Sequence, residues 1–178
     1  MNLILSLMLA LMPAASPFTQ LCALDGQTKP DLSVSIKDLR NAPTVVVIDN
    51  RSLHLSAYPW RDLAPVTGVA DGRPLMVAVK VASADKQPLP SGIRMDRAWV
   101  LFGEETWEVS NLKGRRAGQD QDKDSWINCS DSPQCETTLR DGPKWGPDVY
   151  VDVVVRFIDS QGKAYFLQAP KQYVIGAV

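Results

Sequence analysis

The chain of 178 residues contains one histidine, His54. A Ser–His–Asp or Cys–His site would have to use it. No G-x-S-x-G nucleophile motif lies nearby, and the alternation around His54 puts it on the outer side of a strand. Cysteine is scarce too, with three residues and no accompanying histidine cluster, which argues against a structural zinc site. Gly-rich phosphate loops and the Rossmann fingerprint are missing. The formal net charge is only −1 and no basic-aromatic stripe is present, so nucleic acid is not an expected partner. No apolar run reaches the roughly 18–20 residues of a transmembrane helix, no internal repeat is visible, and no segment makes a convincing amphipathic helix. Glu104, Glu105 and Glu108 read more simply as turn and strand-face residues than as paired catalytic carboxylates. Whether the chain is an enzyme stays open, with the balance against it.

The N-terminus has the look of an export signal. Residues 3–12 (LILSLMLALM) form an apolar run of signal length, and Pro13-Ala14-Ala15-Ser16 resembles the region before a cleavage site. No charged residue precedes Asp25, and Leu21 is large for the −3 position of a cut after Ala23. The expectation is a signal peptide over residues 1–23 and one domain over 24–178, in a secreted or periplasmic protein. The alternative is a buried N-terminal helix. Cys129 and Cys135 flank a short polar loop and fit a local disulfide in an oxidising compartment, against the alternative of two free thiols. Cys22 leaves with the signal or remains odd.

Strands dominate the pattern. In residues 149–158, Val149, Val151, Val153, Val155 and Phe157 alternate with a mixed set that includes Asp152 and Arg156. One core face and one partly wet face follow. The polar residues 159–163 supply a turn, and 164–169 return, with Pro170 expected to end the strand because it has no amide donor. Residues 44–48 (TVVVI) read as a buried strand, 53–58 as an alternating strand interrupted at Pro59, 75–83 and 93–102 as strong strands, 106–110 as a returning one, and 32–36, 136–140 and 172–175 as short or edge strands. Residues 111–134 form a long charged irregular segment. Seven to nine short strands with turn signals between them predict an all-β protein, a single antiparallel sandwich of immunoglobulin-like type, with a barrel as the alternative.

Two features are candidates for a site. Asp120, Asp122 and Asp124 alternate as hard-cation ligands do and make a candidate calcium loop, although Ser125 stands where such a loop needs glycine. The plain alternative is a solvated acidic loop. Trp60, Trp126 and Trp145 fall near strand ends or loops, where exposed indoles stack on sugars or anchor proteins, whereas Trp99 reads as core.

Arg97-Ala98-Trp99-Val100 followed by Trp107-Glu108, and the run from Asp141-Gly142-Pro143-Lys144-Trp145-Gly146-Pro147 into Val151 to Arg156, resemble small secreted bacterial proteins with an immunoglobulin-like sandwich. The resemblance implies a fold and a compartment. It brings no catalytic motif. The inter-sheet disulfide of antibody domains is not expected, since Cys129 and Cys135 are so near in sequence. The functional expectation is a non-catalytic binding domain with a protein or glycan partner and no cofactor beyond the candidate calcium. A loop-presenting inhibitor, using residues 143–147 or the disulfide loop, and a carbohydrate-binding module, using surface tryptophans, are the alternatives.

Overall fold

β-Branched runs separated by Pro, Gly and Asp breaks build ten strands and one short helix in the computed structural model, which describes residues 34–65, 71–110, 112, 126–130 and 132–178. The expected signal over residues 1–23 lies outside the described residues. The strands are β1 (Val45–Ile48), β2 (Arg51–Asp62), β3 (Met76–Ser83), β4 (Arg94–Phe102), β5 (Glu105–Val109), β6 (Ile127–Asn128), β7 (Gln134–Leu139), β8 (Tyr150–Ile158), β9 (Ala164–Tyr173) and β10 (Ile175–Ala177). One sheet has the order β1-β2-β3-β7, with β10 parallel to the end of β2. The other has the order β5-β4-β8-β9, with β6 on β4. All neighbours except β10 are antiparallel, and the two sheets pack face to face as an all-β sandwich.

Alternation supplies the core. Leu53 and Leu55 of β2 and Val77, Val79 and Val81 of β3 meet Met95, Val100, Val151, Val153, Val155 and Phe157 of the opposite sheet. At about 25 cal/mol per Å² of apolar surface removed from water, this layer is the main favourable term in folding.

Several elements depart from the sequence reading. Of the strand expected at 32–36, residues 32 and 33 lie outside the described residues and 34–36 are not extended into a strand; α1 (Ile36–Arg40) begins there, because Ser35 caps it and accepts from the Asp38 N–H at 3.2 Å. Its Leu39 covers Trp99, Leu101 and Val154. The expected wet side of β8 is therefore partly dry. Arg156 on that side is buried as well, in a bidentate pair with Asp96 at 2.9 and 2.5 Å.

β1 is not a buried strand: Val45 and Val47 are 51% and 60% exposed, because β1 stands at a sheet edge with one face uncovered. A continuous β-branched run marks a strand without deciding its burial. Two prolines lie within strands rather than ending them. Pro59 sits in β2 opposite Val77, where β1 has stopped at His54 and β10 has not yet begun at Trp60. Pro170 sits in edge strand β9 at a register shift, where the Lys171 N–H donates to Asp152 Oδ1 at 2.8 Å in place of a ladder bond. A two-residue turn joins β1 to β2, where polar residues tolerate positive φ: Asp49 and Asn50, at 49° and 61°.

Candidate binding surface

The alternation of β2 sends Leu53, Leu55 and Pro59 inward and His54, Ser56, Tyr58 and Trp60 outward. Across the sheet, Tyr58 stands beside Ala78 of β3, and Ala78 beside Thr138 of β7. One row further along come Ser56, Lys80 and Glu136. A methyl-sized side chain between a tyrosine and a threonine leaves a depression. The result is a shallow trough of about 430 Å³ on the outer face of the sheet, with Tyr58 as one wall.

Trp60 prolongs that wall. Its ring centroid lies 5.9 Å from that of Tyr58, with the planes tilted by 40°. Tyr58 is 54% exposed. On the opposite side, Lys80 Nζ and Glu136 Oε1 are 3.6 Å apart and each is about half exposed (46% and 47%). The surface thus offers the exposed Tyr58 ring with the half-buried Trp60 beside it, two hydroxyls (Ser56 and Thr138) and one balanced charge pair on rigid strands. A site built this way binds flat amphipathic groups.

The three tryptophans expected to bind are not brought together. Trp60 is on the outer face described above. Trp126 is half buried next to β6, with the Arg94 guanidinium 5.6 Å from its ring centroid in a cation–π contact. Trp145 is not a surface residue at all: it packs against Phe102, and its Nε1–H donates to Glu105 Oε2 at 3.0 Å. Its Pro/Gly surroundings suggested an exposed loop, but that segment is fastened to the core. Leu75 N–H donates to the Pro143 carbonyl, Gly142 N–H donates to the Leu75 carbonyl, and the buried Arg61 guanidinium donates to the carbonyls of Lys144 and Gly146.

Cys129 and Cys135 form the expected disulfide, with their Cα atoms 5.2 Å apart. Cys129 follows β6 of one sheet and Cys135 lies in β7 of the other, so this local bond ties the end of β6 to the facing sheet. The candidate calcium ligands Asp120, Asp122 and Asp124 lie outside the described residues. Among the described residues, no three His, Cys, Asp or Glu side chains gather as a metal site requires, and no helix is long and apolar enough to cross a membrane. His54 is exposed and makes no side-chain hydrogen bond or ion pair among the described residues.

Three titrating groups are displaced by hydrogen bonds. The Asp159 carboxyl is held below the usual range, first by the Lys163 N–H and then by the Gln161 N–H and the Tyr165 hydroxyl. Asp85 is lowered by the Ser83 hydroxyl and the Gln87 N–H. Tyr173, whose tilted ring lies 5.4 Å from that of Tyr150, is raised because its hydroxyl donates to Asp148 at 2.5 Å. All three belong to turns and strand ends away from the trough. No family model matches the chain, and no curated protein matches it.

Proposed function

We propose that the chain is an exported sandwich of immunoglobulin-like type that acts by binding, and that its ligand-bearing surface is the outer face of the β1-β2-β3-β7 sheet. The exposed Tyr58 in the trough wall, with the half-buried Trp60 beside it on the same outer face, carries this reading. Exposed aromatic side chains on a rigid sheet lose little conformational freedom on binding, which is what a preformed binding surface requires. The sheet-joining disulfide supports an oxidising compartment, as secreted and periplasmic proteins have. Against the inhibitor alternative stands the connector at 143–147, whose backbone and tryptophan are turned into the core instead of projecting. A catalytic reading would need His54 to meet a nucleophile or an acid, and it bonds to neither among the described residues.

The test compares retention of the oxidised protein on insoluble envelope material with that of a Tyr58→Ala/Trp60→Ala variant. Loss of retention at unchanged melting temperature supports the outer face as the binding surface. Undiminished retention contradicts it.

A further inference from the structure

We infer that the trough beside Tyr58 and Trp60 takes a neutral glycan chain; this rests on the reading of that sheet face as the binding surface. The argument comes from what the trough offers and what it withholds. The exposed Tyr58 ring and the half-buried Trp60 ring follow each other along one strand on its outer face, tilted by 40°. A pyranose ring has an apolar C–H face and a hydroxyl edge. Stacking the C–H face on an aromatic ring puts the hydroxyl edge over neighbouring groups, and here those are Ser56, Thr138 and the Lys80–Glu136 pair. Donors and acceptors both stand there, as sugar hydroxyls require. Two tilted rings suit two consecutive sugar units of a chain.

Other partners fit less well. A peptide adding as a strand would extend the sheet in its plane beyond the terminal strand β7, whereas the trough opens on the sheet's outer face over β3, which is paired on both sides by β2 and β7. An amphipathic helix needs a groove of some depth, and this trough is shallow, with only the Ala78 methyl at its middle between Tyr58 and Thr138. Nucleic acid or a polyanionic glycan needs uncompensated cations, whereas Lys80 is met by Glu136 at 3.6 Å. What remains complementary is flat, amphipathic and uncharged.

The experiment is isothermal titration of the full oxidised protein with cello-, xylo-, manno-, laminari- and chito-hexaose, and with polygalacturonate as the anionic comparator. The expected result is saturable binding of at least one neutral hexasaccharide, insensitive to salt. That binding weakens about tenfold or more in Trp60→Ala and in Tyr58→Ala, since truncating a central aromatic anchor removes most of such an interaction. Binding by no neutral sugar overturns the inference. If the same protein is still retained on envelope material through Trp60, the sheet face stands and only the sugar falls. Salt-dependent binding of polygalacturonate alone overturns the neutral ligand. Equal binding of a neutral sugar by the wild type and both variants overturns the inference and the sheet-face reading together.

Discussion

Cys129 and Cys135 are six residues apart in sequence and on different sheets, so the bond between them closes the short crossing from β6 to β7. Both are buried in the main core. Cross-linking so short a loop restricts the unfolded chain by about 2 kcal/mol in the chain-entropy picture. A Cys129→Ser/Cys135→Ser variant is therefore expected to lose roughly that much stability in denaturant unfolding. Its transition should remain single, because the sheets share one core. An unchanged midpoint would remove the disulfide from the account of stability.

Asp96 and Arg156 form a buried pair with side chains 9% and 8% exposed. Removing the carboxylate alone takes the bidentate counter-charge from a buried guanidinium, so Asp96→Ala is expected to cost about 3–5 kcal/mol. Replacing both, as Asp96→Ala with Arg156→Met, should recover a substantial part of that loss. A double variant as unstable as the single one would mean that the pair is held for other partners of Arg156.

Trp145 and Trp60 separate stability from binding. Trp145→Ala empties a packed site between Phe102 and the Glu105 hydrogen bond and is expected to cost about 3–5 kcal/mol in thermal or denaturant unfolding. Any ligand that still binds the folded variant should do so with wild-type affinity. Trp60→Ala is expected to behave in the opposite way, with a stability change under about 1 kcal/mol and loss of binding. If Trp145→Ala abolished binding while leaving the fold intact, the site would have to move to the other end of the molecule.

Asp159 sets an acid limit on the β8–β9 turn. Its folded carboxyl titrates below the unfolded one, chiefly through the Lys163 N–H. Its contribution is then full above the ordinary aspartate value near about 4 and is lost as pH falls through the lower folded value. Asp159→Asn should flatten the acid side of a melting-temperature profile below about pH 4 and speed amide exchange at Gln161 and Lys163. An unaltered acid limb would show that the turn does not depend on that charge.

Period-two alternation carried most of the fold. Val77, Val79 and Val81, and Val151, Val153, Val155 and Phe157, all face the core as their spacing implied. What it missed was set by tertiary context. Leu39 covers Trp99 and Val154 from outside the sandwich, and nothing within β8 could announce that. The site was half legible. The sequence marks Trp60, but Pro59 reads as a break, which hides the fact that Tyr58 and Trp60 share one face of a continuous strand. Carrying the alternation through Pro59 would have joined them. Ala78 and Thr138 carry no signal by themselves, because only the register of three strands sets them side by side. Trp145 misled for a similar reason, since a Pro/Gly segment can be fastened inward as readily as it can project.

The outer sheet face is tested most directly by photo-crosslinking in native envelope material. A benzoylphenylalanine replaces Lys80 or Thr138 in the trough, or Glu108 on the other sheet as the control. The account predicts adducts from the two trough positions, competed by excess unlabelled protein, and none from Glu108. Adducts from Glu108 alone, or from no position while the protein is still retained, would contradict it.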